Sequence, residues 1–213
     1  MKKIAFIFCL LFLSAAAFAD AQKKITGFDV SVPLETRTWH LSDNGEDSGN
    51  ASTVFAGFNI NLYRMTVESD GLSFIYSAGA GKGKLQLEKN MKMDCYDLNA
   101  RFGAGHAFLN SDDMVFALHV FAGIGVKYAR GPQSGIDIEA LEYRMPFGAD
   151  ASFVMKLSER FSLCAGFDLS VNFLGFGSFM IETGDGSSSK GYTIDYLFSG
   201  LNAVPHLGFC WLL

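Results

Sequence analysis

The chain has 213 residues, 49% of them hydrophobic and 14% aromatic, with 21 Phe, 23 Gly, 4 Pro and a formal charge of −5. That composition excludes disorder and collagen-like repeats and supplies one sizeable core or one bilayer-spanning unit. An acidic chain without a basic run has no electrostatic footprint for a phosphate backbone, so nucleic acid is not an expected partner.

Met1-Lys2-Lys3, the apolar run Ile4 to Leu13 and the small residues of Ala17-Phe18-Ala19 have the order of a secretory signal peptide. Residues 1–19 are therefore predicted to be a cleaved leader, and 20–213 a single exported domain whose formal charge becomes −7 once Lys2 and Lys3 are gone. No later stretch is apolar for the roughly 18 to 20 residues that a transmembrane helix needs, so strands must make any crossing. Three widely spaced cysteines remain, Cys95, Cys164 and Cys210, which form neither a disulfide framework nor a zinc pattern.

From about Thr26 the dominant signal is period-two alternation. Phe28, Val30, Val32 and Leu34 oppose Asp29, Ser31, Glu35 and Arg37 in the first run; Val54, Phe58, Ile60 and Leu62 oppose Asn59 and Asn61 in the second. The third sets Leu72, Phe74 and Tyr76 against Ser73, Ser77, Gly79 and Gly81, and the fourth sets Tyr96, Leu98 and Phe102 against Asp97, Asn99 and Arg101. In the fifth, Leu118, Val120 and Ile124 oppose His119 and Lys127; in the sixth, Tyr143, Met145 and Phe147 oppose Glu142, Arg144 and Asp150. Phe167, Leu169 and Phe173 against Cys164, Gly166 and Asp168 make the seventh. The eighth places Leu207, Phe209, Trp211 and Leu213 opposite His206, Gly208 and Cys210.

Connections alternate between short ones, near 65–71, 110–113 and 157–160, and long loops near 39–52, 82–93, 130–139 and 175–195. Short turns on one side and long loops on the other describe a meander through a bilayer. The opposite faces combine glycine with paired charges, which suits the narrow interior of an eight-stranded barrel, so the apolar faces are assigned to lipid. Trp39, Tyr128, Tyr143 and Tyr196 are placed in one interfacial girdle, and Phe108, Phe161 and Trp211 in the other. The fold predicted is all-β: an eight-stranded antiparallel up-and-down transmembrane β-barrel with both termini on the short-turn side.

In strand number, alternation and loop asymmetry the chain resembles the small outer-membrane barrels of the OmpA membrane domain, OmpX and OmpW type. That resemblance implies the outer membrane of a diderm bacterium, periplasmic termini, a monomer surrounded by outer-membrane lipid, and delivery by the barrel-assembly machinery. Phe209, Trp211 and Leu213 look like the C-terminal signal that this machinery reads, with Leu in place of the usual final aromatic.

Reflecting adjacent strands about their connections places Lys127 opposite Glu142, His119 opposite Asp150, and Asp97 beside Lys127. A lumen network of Asp97, Lys127 and Glu142, extended by Arg101 and Arg144 and accompanied by His119 and Asp150, is predicted to occlude the pore; a wet channel lined by unpaired charges is the alternative. Folding the last two strands about Ser187 sets Cys164 opposite Cys210 as a candidate bridge, the alternative being two small lumen-filling side chains. Gly79-Ala80-Gly81-Lys82-Gly83-Lys84 lacks the Ser or Thr and the helix of a phosphate-binding loop, and His40, His106, His119 and His206 make no catalytic constellation with a lipid-facing Ser. The chain is accordingly read as a non-enzymatic surface-interaction or envelope-structural protein with no cofactor and no metal, acting through its long loops on an extracellular ligand or host surface. A narrow porin-like channel for small molecules is the second reading.

Overall fold

Residues 23–87, 91–133, 136–183 and 188–212 are described by the computed structural model. The predicted leader, Ser134, Gly135, Ser187 and Leu213 lie outside these residues. Every regular element is a strand: β1 (Lys23–Ser31), β2 (Leu34–Asp43), β3 (Glu46–Val67), β4 (Leu72–Leu87), β5 (Met91–Asn110), β6 (Met114–Gln133), β7 (Ile136–Lys156), β8 (Ser162–Thr183) and β9 (Ser189–Leu212).

The nine strands make a ring of eight. β1 and β2 lie end to end between β3 and β9, and Pro33, which has no N–H for a ladder, separates them. The seam stays bonded across the break through Val32 N to Pro205 O (3.0 Å) and Gly57 N to Pro33 O (3.3 Å). Following paired residues around the sheet, Ile25, Met65, Ile75, Gly103, Phe121, Gly148, Ser170 and Asn202 lead back to Glu35, a stagger of ten residues in one circuit. A sheet closed with such a stagger has tilted strands and no free edge.

Alternation decides the two faces as the sequence implies. Phe28, Ile60, Leu62, Leu98, Val120, Phe147, Phe167, Leu169 and Leu207 are exposed on the outside, while Asp29, Glu35, Arg37, Asp97, Lys127, Glu142, Arg144 and Asp150 are buried inside. A belt of Phe and Leu open to the surroundings is the outer face of a barrel in hydrocarbon.

The long connections are corrected. Only about 9–11 residues of strand are needed to cross a bilayer, yet β8 has 22 residues and β9 has 24. The described residues of the segments read as loops continue the strands beyond the membrane. There the pattern inverts: Lys82, Lys84, Lys92, Asp94, Arg130 and Glu139 point outward, and Leu85, Leu87, Met93 and Ile138 inward. The β2–β3 hairpin closes in the two residues Asn44 (φ 51°) and Gly45 (φ 86°), between paired Asp43 and Glu46. Asn-Gly takes this doubly left-handed turn at the least steric cost.

Candidate functional site

Among the described residues, reactive side chains converge in the lumen, which is built in layers. Above, toward the long hairpins, Trp39, Phe55, Leu85, Met93, Ile138, Phe179 and Ile194 pack as an apolar lid. Below, toward the short turns, Ile25, Met65, Val67, Val115, Val154, Cys164 and Cys210 pack as an apolar floor. Trp39 and Tyr196, expected in a lipid-facing girdle, are inward-facing and buried in the lid, because the odd residues of β2 and the even residues of β9 at this level face the lumen. Tyr143 does sit outside, stacked on Phe176 with ring centroids 5.3 Å apart.

Between lid and floor lie two polar clusters. In the upper one three carboxylates meet three basic side chains. Arg37 Nη1 donates to both oxygens of Glu142 at 2.5 Å, and Glu142 Oε1 also accepts from Trp39 Nε1 (3.2 Å) and Tyr196 OH (2.6 Å). Lys127 Nζ donates to Glu35 Oε2 at 2.5 Å while lying over the Phe55 ring, 3.3 Å from its centroid. Arg144 bridges Glu35 (3.0 Å) and Asp97 (2.7 Å), Asn59 donates to Asp97 (3.0 Å), and Arg37 also contacts Glu35. Charges this deep are tolerable only when paired and hydrogen-bonded on most sides, as these are.

The strand registers Asp97↔Lys127, Lys127↔Glu142 and His119↔Asp150 are present. His119 and Asp150 do bond across their register at 2.9 Å, but the ion pairs of Lys127 and Glu142 are not the ones theirs suggest. Lys127 reaches across the lumen to Glu35 and Glu142 is held by Arg37, since in a narrow closed barrel long side chains bridge to the far wall. Arg101 is not an extension of this cluster; it lies lower, bonded to Asp168 and to Ser77 Oγ (2.7 Å). Glu35 and Arg37 were absent from the predicted network although their inward alternation was visible.

In the lower cluster His119 links Ser73 to Asp150: Ser73 Oγ to Nε2 is 2.9 Å and Nδ1 to Asp150 Oδ1 is 2.9 Å. Asp150 Oδ1 also accepts from Ser152 Oγ at 2.6 Å. The order Ser, His, Asp is that of a nucleophile, base and orienter. Ser73 is 0% exposed, so its hydroxyl meets protein and no acyl substrate. His206, Asp168 and Asp29, also missing from the predicted network, complete this layer. A cavity of about 60 Å³ lies between the clusters, bordered by Glu35, Asn59, Arg101, Arg144 and Asp168, enough for a few waters.

The direct Cys164–Cys210 opposition is corrected. Cys164 pairs with Gly208 and Cys210 with Ser162, two positions off: the outer β8–β9 ladder, from Glu182↔Ser189 down to Asn172↔Ser199, is offset by three from that reflection, and the bulge at Ser170/Asn172 restores one. Both thiols are free and fill the floor. Phe209 and Trp211 face outward at the closing seam, opposite Phe28 and Thr26 of β1.

No protein-family model and no curated protein sequence matches the chain. Solved structures do. The outer membrane protein OprG from Pseudomonas aeruginosa superposes with a TM-score of 0.67 at 10% identity, over 91% of this chain and 97% of that one. The outer membrane protease OmpT from Escherichia coli (TM-score 0.48, 9% identity, 91% and 97% covered) and Neisserial surface protein A (0.43, 13%, 86% and 95%) are looser likenesses. The closed ring of eight, its apolar belt and the OprG likeness together give this chain the fold of a small, eight-stranded outer-membrane β-barrel.

Proposed function

We propose that the protein is a sealed barrel that presents its long hairpins at the cell surface for interaction or envelope structure, and carries out no transport or catalysis. The observation that carries this reading is the filled lumen: an apolar lid and floor with an internally paired charge layer between them. Hairpins that hold their own inward apolar core above the membrane are rigid enough to display a fixed surface, and such segments commonly carry recognition. The termini are then periplasmic, with Phe209 and Trp211 as part of the assembly signal, and the ligand is an extracellular molecule or host surface. An epitope inserted between Asn44 and Gly45 should be detected by antibody on intact cells; detection only after permeabilisation would reverse the orientation.

A narrow conduit is the second reading, favoured by the cavity between the clusters. Swelling of liposomes loaded with the refolded protein separates the two: no swelling in small sugars or amino acids supports the sealed barrel, and swelling supports the conduit.

A further inference from the structure

We propose that Asp150, Asp168 and His206 form a binding site for one first-row divalent transition ion such as zinc, stapling β7, β8 and β9 together inside the barrel. Asp150 and Asp168 are directly opposed across β7 and β8, and His206 comes from β9 beside them, paired with Gly166. Like charges directly opposite on one face destabilise a strand pair, more so when buried. Here they are 1% and 3% exposed, and a cation between them resolves the conflict.

The hydrogen bonding shows where that cation belongs. Each carboxylate has one anchored oxygen: Asp150 Oδ1 is held by His119 and Ser152, Asp168 Oδ2 by Arg101. Each has one oxygen without a hydrogen bond, Asp150 Oδ2 and Asp168 Oδ1, and neither ring nitrogen of His206 makes one although its side chain is only 6% exposed and lies at ion-pair distance from Asp29, Asp150 and Asp168. His206 Nε2 lies 3.4 Å from Asp150 Oδ2 and 3.8 Å from Asp168 Oδ1, and the three ligand atoms all fall within 4.8 Å. Tetrahedral ligands at about 2.0–2.2 Å from one zinc ion are about 3.4 Å apart, close to the separations of His206 Nε2 from the two carboxylate oxygens. His206 Nδ1 lies 3.6 Å from Asp29 Oδ2, the side from which a carboxylate orients a ligating imidazole so that its other nitrogen faces the metal.

The backbone leaves room for the ring. A Cβ on Gly166 would come within 2.4 Å of His206 Nε2, so only glycine there lets the imidazole lie across β8. Two carboxylate oxygens and one imidazole suit zinc, manganese or iron(II), and a water from the adjoining small cavity beside Asp29, Arg101 and Ser152 can complete the shell. Charge agrees: three carboxylates, Asp29, Asp150 and Asp168, face one fixed cation, Arg101, and a divalent ion neutralises the remainder.

The full chain is refolded into detergent with and without zinc sulfate, desalted, and its metal measured by mass spectrometry, with folding scored by heat-modifiable gel mobility. One zinc per folded barrel is expected, falling at least tenfold in Asp150→Asn and in His206→Gln and unchanged in His40→Gln, which alters an exposed hairpin histidine. Less than a tenth of an equivalent in the folded wild type, or equal loading of the variants, overturns the site. Should either variant fail to refold, X-ray absorption on the zinc-loaded wild type decides. A first shell of nitrogen and oxygen with one imidazole supports the assignment; sulfur at about 2.3 Å, from the floor thiols, contradicts it.

Discussion

The two polar layers of the lumen sit within one barrel and solve the same problem differently. In the upper layer Glu35, Asp97 and Glu142 are matched by Arg37, Lys127 and Arg144, and each carboxylate accepts from at least two donors. In the lower layer Asp29, Asp150 and Asp168 face Arg101 and two histidines, and four polar atoms of Asp150, Asp168 and His206 make no hydrogen bond. The upper layer is closed by its own side chains; in the lower one the proposed metal ion supplies the charge that Arg101 alone does not.

The largest effect is expected from breaking the upper layer. Glu142→Gln leaves Arg37 buried without its bidentate partner and should lower the unfolding free energy by about 3–5 kcal/mol. Urea titration of the refolded protein in lipid checks it. If Glu142→Gln unfolds at the wild-type midpoint, the network is not what holds the middle of the barrel.

Next comes the outer belt, which tests the assignment of faces shared by both layers. Phe167 and Leu118 are exposed on the lipid side, and Arg at either should cost about 2–4 kcal/mol near the bilayer midplane. The same titration, with wild-type stability in Phe167→Arg, would exchange inside and outside.

The lower layer should answer in the opposite sense to the upper one. In chelator, Asp150→Asn removes one of two opposed charges and should change stability by less than about 1 kcal/mol, or raise it. A loss as large as that of Glu142→Gln would show both layers to be equally self-sufficient.

Smallest is the outer surface of the hairpins. Lys84 donates to Asp94 at 2.8 Å, and that hydrogen bond holds the Asp94 carboxyl below its usual range. A depressed carboxyl stabilises the fold above its unfolded pKa, and the contribution disappears as pH falls through the folded value. The pair is solvated, so Asp94→Asn should leave the urea midpoint at pH 7 within error.

What the sequence revealed follows from these differences. Strand number and the direction of each face were legible because period two is a local property: Phe167 and Asp168 face opposite ways whatever surrounds them. The hairpins were misread as loops because the apolar residues change sides on leaving the membrane, from Leu98 outside to Met93 inside, and a reading keyed to an apolar outer face ends there. The turn signal Asn44-Gly45 was present and marked a hairpin. The ion pairs were illegible for another reason. Register fixes which residues are neighbours on the wall, as with Lys127 and Glu142, but partners across the lumen depend on the ten-residue stagger and on side-chain reach, so Glu35 and Arg37 enter only in three dimensions.

Single-channel recording of the refolded wild-type protein in a planar bilayer tests the sealed lumen most directly. The account predicts no discrete conductance steps, because Trp39, Phe55, Met93 and Phe179 close the lumen above the charge layer and Met65, Val115 and Val154 close it below. Steady conductance comparable to that of a general porin would contradict it.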